Sequence, residues 1–453
     1  MEKGNIILNL KKTTGRFAVC IESVFLSINS MNMLLMHMRN LLLLVVALPL
    51  CAAAQDTVQH IVQGRANSPM QQQKPYVILI SADGFRHDLA DKYHAVNLLR
   101  LREQGVAATS MIPSYPSLTF PNHYSIVTGL YPSHHGLVDN GFYDEKRGEK
   151  YSMSNKKAVA DSSWYGGTPL WVLAEQQQLL SASFYWVASE SAIQGVRPTY
   201  YYVYNEKINM ASRARAVKDW LQLPEEKRPH LITFYFPEVD HAEHTYGPDS
   251  KEAEAAVHLV DEGVAGLVSA VQSTGLPVNF IFVADHGMTA VDTLHTLRLP
   301  AAVDTTKFYV PWGDALVHLY AKDKADVLPT YNALKKEADG YDVYLADEIP
   351  TRWNYSRQDD RYGRIGDILL VPRLPRVFSL SGKSTTPGKH GYDNALFDMH
   401  ASFYAWGPAF KSHLHIPSFE NVHIYPLIAT LLGLDYIETS IDGRLGVLAP
   451  ILK

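Results

Sequence analysis

Residues 117–123, Ser-Leu-Thr-Phe-Pro-Asn-His, place a hydroxyl side chain where a nucleophile could act. Thr119 stands before Pro121 and an apolar run at helical spacing, which predicts that a helix begins at Thr119. The backbone N–H groups and the positive end of that helix would favour an anion beside the hydroxyl. The alternative is that Thr119 is an ordinary helix cap, and only partners elsewhere in the chain decide between the two.

Carboxylate and imidazole side chains occur at several points of the sequence where an apolar run has just ended. Each one alone has a simple explanation, as a turn residue, a helix cap or a histidine with no special role. Together, and without thiolate, they form a donor set that suits zinc or manganese in a hydrolytic site. These candidate ligands are Asp83, Asp240, His244, Asp285, His286 and His390.

The spacing of these residues divides them between two metal ions. Asp240 and His244 are four positions apart and can face one ion across a single turn, and His390 could complete that set. The other set would consist of Asp83, Asp285, His286 and Thr119. A bound dication would stabilise the deprotonated Thr119 oxygen, and two metals roughly 4 Å apart would clamp the attacking and leaving oxygens of a displacement at phosphorus.

Three largely apolar runs deliver most of these residues, at 76–80, 230–236 and 278–284, and the first of them is unbroken. Such runs are typical of parallel strands that are buried on both faces. Helical segments alternate with them, including one predicted from about 250 to 271, and this order predicts a doubly wound α/β sheet. Ligands bind outside the carboxyl ends of such strands, where the polar turns would converge.

The segments around this core differ in texture. Residues 55–74 are polar and small, and we interpret them as a linker to a catalytic domain over 75–453. From about 292 to 385 mixed polar strands and a helix are predicted, which indicates an inserted α+β cap. A strand over 402–406 and a helix around 427–432 are predicted to complete the sheet.

Composition limits the class of protein. The chain has 453 residues, 47% hydrophobic and 19% charged, so it can bury a large globular core. Its net charge of −5 and the lack of a long basic run indicate no nucleic-acid-binding surface. A small-molecule anion would have to be attracted by local metal charge.

The N-terminal region, residues 1–54, reads as a signal peptide. A charged flank ending at Arg39 precedes an apolar run over 41–48 and then Ala52–Ala54, a small-residue cleavage site; the run is too short to span a membrane. Methionines at 31, 33, 36 and 38 offer alternative starts that would leave residues 1–30 untranslated. Leu50 does not fit a lipidation signal at Cys51, so we expect a secreted or periplasmic protein without a lipid anchor or mature transmembrane span.

The order of the motifs resembles the nucleotide pyrophosphatase/phosphodiesterase family of the alkaline phosphatase superfamily, in a compact bacterial-type form, from about residue 75 to the C-terminus. The matching motifs are Asp83-Gly84-Phe85-Arg86, the stretch 117–124, Thr128-Gly129-Leu130-Tyr131-Pro132, His135-Gly136, Asp139-Asn140, Asp240 with His244 and Gly247-Pro248, Asp285-His286-Gly287-Met288 and His390-Gly391-Tyr392. This resemblance implies an alkaline-phosphatase-like sheet sandwiched by helices and a site with two Zn²⁺ ions, held by the two ligand sets given above.

The resemblance also implies a reaction. It suggests cleavage of nucleotide phosphodiester or phosphoanhydride bonds to nucleoside 5′-monophosphates through a phospho-threonine at Thr119, which metal-bound water would then hydrolyse. Asn140 would hold a phosphate oxygen together with the backbone N–H of Phe120. Phe120, Tyr204 and Tyr235 match positions that line the nucleoside slot, although aromatic residues in strands are usually core.

Other functions stay open at this point. A phospholipid or choline phosphodiesterase of the same family is one alternative, and a secreted binding protein without catalysis is another. A sulfatase is disfavoured because the nucleophile stretch lacks the Cys or Ser setting that sulfatases need. One departure from the family pattern is Glu243, where many relatives have glycine; it leaves Asp240 and His244 in place.

Overall fold

The structure is a computed structural model that describes residues 57–311, 313–382 and 384–453. The predicted signal peptide at 1–54, with Cys51, lies outside the described residues. Among the helices in the described ranges, none is long and apolar enough to cross a lipid bilayer.

The chain alternates strands and helices as the sequence predicts. The strands are β1 His60–Ile61, β2 Tyr76–Ala82, β3 Val106–Ala108, β4 Met111–Ile112, β5 Gly141–Asp144, β6 Glu149–Ser152, β7 Ser181–Phe184, β8 Tyr200–Tyr202, β9 Leu231–Phe236, β10 Val278–Val283, β11 Thr289–Ala290, β12 Phe308–Tyr309, β13 Val317–Ala321, β14 Tyr341–Leu345, β15 Ile368–Pro372, β16 Gly388–Lys389, β17 Phe403–Trp406, β18 Leu414–Ile416 and β19 Phe419–Glu420. The α-helices are α1 Leu89–Lys92, α2 Val96–Gln104, α3 Thr119–Thr128, α4 Pro132–His135, α5 Lys156–Ala160, α6 Leu170–Gln176, α7 Met210–Leu221, α8 Glu238–Tyr246, α9 Lys251–Gln272, α10 Val327–Glu337, α11 Ile424–Leu431 and α12 Leu445–Leu448. Short 3₁₀ helices cover Gln71–Gln73, Ser162–Trp164, Lys324–Asp326, Thr351–Trp353, Phe397–Met399, Asn421–His423, Glu438–Ser440 and Ala449–Ile451.

A mixed sheet runs through the described part of the chain in the order β1-β8-β7-β9-β2-β10-β17-β3-β18. Its middle strands, from β8 to β10, are all parallel to one another, and β17 pairs with β10 in the antiparallel sense. Every residue of β2 is buried, as the unbroken apolar run over 76–80 predicts. Helices flank the sheet, with α2, α7 and α8 against α9, and α4 and α11 against α3. The predicted α/β fold is confirmed.

The carboxyl ends of β9, β2 and β10 lie side by side. Ser81 of β2 is paired with Tyr235 of β9 on one side and with Val283 of β10 on the other. Asp83 directly follows β2, Asp285 lies two residues after β10, and Asp240 lies four residues after β9, in the first turn of α8. Because the strands are parallel and in register, their polar turns meet at one edge of the sheet.

Residues 292–385, which we call the cap, contain a second, smaller sheet. Its described strands are antiparallel in the order β12-β13-β15-β14, and Leu334 of α10 packs into the same small core. The inner faces of these strands carry Val317, Leu319, Val343 and Leu370, all buried. A sheet with one helix on it agrees with the α+β texture of this part of the sequence.

The described part of the predicted linker, residues 57–74, is attached to the domain. His60–Ile61 pairs antiparallel with Tyr200–Tyr201 and forms the edge of the central sheet. The buried amide of Asn67 donates to the carbonyl oxygens of Glu225 and Arg228. The sequence predicts a linker over 55–74, and in its described part polar side chains satisfy backbone groups of the neighbouring loop.

Candidate active site

Thr119 is the first residue of helix α3, as predicted, and Pro121 lies in its first turn. The cap position belongs to Leu118, whose backbone is extended and whose side chain makes no cap hydrogen bond. The hydroxyl oxygen of Thr119 lies instead 3.2 Å from Nε2 of His286. The alternative that Thr119 only caps the helix is therefore wrong, because its side chain faces the polar cluster.

The residues around His286 form the first predicted ligand set. Its Nε2 is 2.9 Å from Oδ2 of Asp285 and 3.6 Å from Oδ1 of Asp83, and all three side chains are buried. Burial, together with the nearby carboxylates of Asp285 and Asp240, raises the pKa of Asp83 well above its usual range. Carboxylates this close together repel one another, and a cation between them would relieve that repulsion.

The second predicted set meets beside His286, and possible ligand atoms of Asp240, His286 and His390, one from each, lie within 4.8 Å of one another. Nε2 of His244 is 3.4 Å from Oδ1 of Asp240, Nε2 of His390 is 3.7 Å from the same oxygen, and the two Nε2 atoms are 3.1 Å apart. The rings of His286 and His390 stack with centroids 3.6 Å apart, so the two sets adjoin.

The hydrogen bonds of these histidines fix which ring nitrogen faces the cluster. Nδ1 of His244 donates to the carbonyl oxygen of Gly388, and Nδ1 of His390 donates to that of Ser117. Burial and the neighbouring histidines lower the pKa of His390 well below its usual range, so its ring is neutral. Nε2 of His390 then presents a lone pair, and the Nε2 atoms of both histidines face the cluster, as in metal-ligating histidines whose other nitrogen is held by a carbonyl.

Unpartnered oxygen atoms give a further test of whether metal ions fit here. Oδ1 of Asp83 and Oδ1 of Asp240 are buried and make no hydrogen bond to any described residue. A cation among them would give these two carboxylate oxygens a partner, and the histidine Nε2 atoms that are 3.1 Å apart lie beside them as further ligands. The residues therefore fit divalent cations, and the nitrogen and oxygen donors without thiolate suit zinc.

Asn140 lies next to the start of α3. The backbone N–H of Phe120 donates to its Oδ1 at 2.9 Å. The turn that carries Asn140 is held by Asp139, whose carboxylate accepts from the backbone N–H of Gly141. The structure thus brings Asn140 beside Thr119, where the resemblance expects it. The backbone N–H of Phe120, which the resemblance expects to hold a phosphate oxygen together with Asn140, donates here to Asn140 itself.

The aromatic residues expected in the substrate slot differ in exposure. Tyr204 is 39% exposed, and its hydroxyl donates to Glu206. Phe120 is half-buried, with its ring centroid 6.4 Å from that of Tyr151. Tyr235 is buried, and its hydroxyl donates to Oδ2 of Asp83. Tyr204 and Phe120 are therefore available for stacking, whereas Tyr235 is mainly a partner of Asp83.

His123 is a site residue that the sequence prediction left out. It lies one helical turn after Thr119 and is fully buried. Its Nε2 is 2.8 Å from Oγ of Ser81, and its Nδ1 is 3.1 Å from the carbonyl oxygen of Thr119 and 3.3 Å from Oδ2 of Asp285. Its position four residues after Thr119, on the same helix face, was the signal available in the sequence.

Glu243 shares helix α8 with Asp240 and His244, so the family departure leaves both candidate ligands on one helix. Its side chain is buried, and neither carboxylate oxygen has a hydrogen-bond partner among the described residues. Burial raises its pKa well above the usual range. Burial of this kind favours the neutral form of the carboxyl group, because the charged form is poorly solvated.

The chain is similar to known phosphodiesterases. The type I phosphodiesterase/nucleotide pyrophosphatase family matches residues 77–393. The chain is 35% identical over 401 residues to ectonucleotide pyrophosphatase/phosphodiesterase family member 1 of Mus musculus, covering 85% of this chain and 43% of that protein. It is 33% identical over 389 residues to the venom phosphodiesterase of Naja atra, covering 83% of this chain and 46% of that protein. The chain thus spans less than half the length of these relatives.

Two solved structures share the fold. Murine ectonucleotide pyrophosphatase/phosphodiesterase 5 superposes with a TM-score of 0.78 at 27% identity, covering 83% of this chain and 100% of the other. An inactive threonine-to-alanine variant of that murine protein, in complex with AMP, gives the same TM-score and identity over 84% of this chain and 100% of the other. The alkaline-phosphatase-like architecture implied by the resemblance is confirmed. The chain belongs to the type I phosphodiesterase/nucleotide pyrophosphatase family.

Proposed function

We propose that this chain is a metal-dependent hydrolase that cleaves phosphodiester or phosphoanhydride bonds of nucleotides and releases nucleoside 5′-monophosphates. The observation that carries the proposal is the Thr119 hydroxyl at the start of α3, 3.2 Å from His286 within a buried cluster of carboxylates and imidazoles. The relatives named as pyrophosphatases and phosphodiesterases, and the neighbour in complex with AMP, support the same substrate class.

Two Zn²⁺ ions are the proposed cofactors. Asp240, His244 and His390 would hold one of them; the other would be held by Asp83, Thr119, Asp285 and His286. When bound, they would favour the deprotonated form of the hydroxyl and neutralise charge on the phosphoryl group. Tyr235 and His123 hydrogen-bond or contact Asp83 and Asp285, so they would keep these carboxylates oriented.

The proposed reaction has two displacements at phosphorus. In the first, Oγ1 of Thr119 loses its proton and attacks phosphorus, an O–P bond forms, and the bond to the leaving oxygen breaks, which leaves a phospho-threonine that still carries the nucleoside and a leaving group that takes up a proton. In the second, a water oxygen attacks the same phosphorus, the bond to Thr119 breaks, and the nucleoside monophosphate departs. The net change is the addition of one water molecule across the scissile bond.

Asn140 is the proposed donor to a non-bridging phosphate oxygen. Because its Oδ1 already accepts from the N–H of Phe120, its amide nitrogen is the atom able to donate to the substrate. The N-terminus of α3 adds favourable electrostatics for the same anion. Such donors act most strongly where charge develops during the displacement.

The nucleoside is proposed to stack beside Tyr204 and Phe120, with Tyr235 at the inner end of the slot. The ring centroids of Tyr204 and Tyr235 are 6.0 Å apart. Stacking on an aromatic face tolerates every base, so this slot would select nucleotides without selecting one base strongly.

We further propose that the protein acts outside the cytoplasm, on the strength of the apolar run and cleavage site near residue 54. N-terminal sequencing of protein recovered from the periplasm or the medium tests this. A mature chain that begins near residue 55 agrees with the proposal, and an unprocessed cytoplasmic chain contradicts it.

The function is tested by comparing the nitrophenyl ester of thymidine 5′-monophosphate with nitrophenyl phosphate. A diesterase hydrolyses the first much faster, a monoesterase prefers the second, and a binding protein without catalysis hydrolyses neither. A panel of ATP, diadenosine tetraphosphate, a UDP-sugar and glycerophosphocholine, with products separated by chromatography, then distinguishes nucleotide from choline substrates. Release of nucleoside 5′-monophosphate is expected; cleavage of glycerophosphocholine alone would favour the choline alternative.

A further inference from the structure

The position of Asn140 depends on a short buried turn. Asp139, which precedes it, is 2% exposed, and its carboxylate accepts from the backbone N–H of Gly141 at 3.0 Å. The side chain of Asn140 in turn reaches the N–H of Phe120. A shift of this turn would move the Asn140 amide away from the Thr119 hydroxyl.

Two buried residues of the cap lie directly behind this turn. The hydroxyl of Tyr355 donates to the carbonyl oxygen of Val138. Nε2 of His318, on strand β13, is 3.4 Å from the Tyr355 hydroxyl and 3.6 Å from Oδ2 of Asp139. Tyr355 and His318 are 0% and 1% exposed, so solvent does not compete for these contacts.

The direction of each hydrogen bond in this group is fixed. The backbone N–H of Gly366 donates to Nδ1 of His318 at 3.0 Å, so Nδ1 carries no hydrogen and Nε2 does. The Tyr355 hydroxyl donates its hydrogen to the carbonyl oxygen of Val138, so its oxygen can accept a hydrogen bond from Nε2 of His318. Burial lowers the pKa of His318 to about 3, which keeps the ring neutral. The cap thus presents a donor chain with one orientation to residues 138 and 139.

We propose that His318 and Tyr355 are positioning residues, through which the cap holds the 138–140 turn so that the Asn140 amide meets the phosphate oxygen. This inference rests on the proposed function, because it assigns Asn140 the role of phosphate donor. It gives the cap a part in catalysis.

The test measures kcat and KM for the nitrophenyl ester of thymidine 5′-monophosphate, together with zinc content and thermal unfolding. Tyr355→Phe should lower kcat about 3- to 10-fold, because it removes one hydrogen bond that holds the turn in position. KM should change less than about 2-fold. His318→Leu should lower kcat at least as much, and His318→Gln, whose amide can donate from a similar position, should recover most of it. Zinc content should not change.

The matched control is Tyr341→Phe. Tyr341 is also a buried tyrosine of the cap, but its hydroxyl makes no hydrogen bond to the described residues. The same chemical change there should leave kcat and KM at the wild-type values. If Tyr341→Phe lowered kcat as much as Tyr355→Phe does, any tyrosine substitution in the cap would impair the enzyme, and the positioning role of Tyr355 would be overturned.

A double-mutant cycle separates positioning from general destabilisation. Asn140→Ala alone should lower kcat about 100-fold, as for removal of one preorganised donor. In that background Tyr355→Phe should lower kcat by less than about 2-fold more, because its effect passes through Asn140. Full additivity, or a wild-type kcat for Tyr355→Phe, would overturn the inference. If Asn140→Ala kept the wild-type kcat, the role of Asn140 as phosphate donor in the proposed function would be wrong, whatever the result for Tyr355. Should His318→Leu not fold, the Tyr355→Phe arm decides the outcome.

Discussion

The hydroxyl oxygen of Thr119 lies 3.2 Å from Nε2 of His286, although the two residues are 167 positions apart in the sequence. Thr119 begins a helix, and His286 follows a central strand by three residues. Their contact joins the helix N-terminus to the carboxylate cluster at the sheet edge. The proposed nucleophile, a helix end that favours anions and the proposed metal ligands therefore occupy one place in the fold.

Removal of bound metal should destabilise the protein as well as stop hydrolysis. Without cations, the carboxylates of Asp83, Asp240 and Asp285 would face one another in a buried site, so treatment with a chelator should lower the melting temperature by about 5 °C or more. Elemental analysis of the purified protein should find about two zinc ions per chain. His390→Ala should lose about one of them. The exposed His258→Ala should lose none. Less than about one zinc in the wild type would contradict the two-metal site.

Substitution of Tyr204 should affect nucleotides selectively. Stacking contributes roughly 1–3 kcal/mol per base, so Tyr204→Ala should raise KM for a nucleotide diester about 5- to 150-fold. Bis(4-nitrophenyl) phosphate lacks a nucleoside and should change little, which makes it the internal control. Tyr246→Ala, at a tyrosine that is 57% exposed outside the slot, should change neither substrate. Equal losses on both substrates would contradict the stacking role.

Arg364 should be important for stability because it joins the cap to the loops beneath it. Its buried guanidinium donates to Oδ2 of Asp144 at 2.9 Å and to the carbonyl oxygens of Gly136 and Trp164. Arg364→Met would leave Asp144 buried without its partner, so the free energy of unfolding in denaturant should fall by about 3–5 kcal/mol. Arg373→Met is the control, because Arg373 pairs with Asp342 at the surface, and should cost about 1 kcal/mol or less. Equal effects would contradict this account of Arg364.

Acid should destabilise the fold partly through His135. Burial lowers the pKa of His135 to about 3, below the value of about 6.5 in an unfolded chain. The unfolded state therefore binds this proton first, and the stability that depends on neutral His135 is complete above about pH 6.5 and is lost as the pH falls toward 3, at about 1.4 kcal/mol per pH unit.

His135→Gln removes the titrating group and keeps a donor for the carbonyl oxygen of Pro121, with which Nε2 of His135 is in contact at 3.1 Å. Between pH 6 and pH 4 the unfolding free energy of this variant should depend less steeply on pH, by the amount that corresponds to about one proton fewer taken up on unfolding. Denaturant unfolding at several pH values measures it. An unchanged slope would show that His135 is not the group responsible.

Much of the site could be predicted because its residues follow long apolar runs. The strands β2, β9 and β10 are continuous in the sequence, and parallel strands that lie next to one another bring their following residues together. The apolar runs alone therefore indicate that Asp83, Asp240 and Asp285 share one edge of the sheet. Helix α3 is equally clear in the sequence, because its first turn carries Pro121.

The remaining features depend on contacts that no local pattern encodes. Tyr235 reads as a core or slot aromatic, and only the register of β9 with β2 brings its hydroxyl to Asp83. His318 and Asp139 are 179 positions apart and meet because the cap folds over the loop. The strand His60–Ile61 was missed because it is too short to show a period, and its pairing with β8 defines it.

The role of Thr119 as the nucleophile is tested most directly by comparing Thr119→Ala with wild type on the nitrophenyl ester of thymidine 5′-monophosphate. Zinc content and melting temperature are measured on the same samples. If Thr119 is the nucleophile, Thr119→Ala should lose at least about 1,000-fold in kcat while it stays folded, and Thr119→Ser should keep measurable activity. A folded Thr119→Ala that hydrolyses the diester at the wild-type rate would show that Thr119 is not the nucleophile.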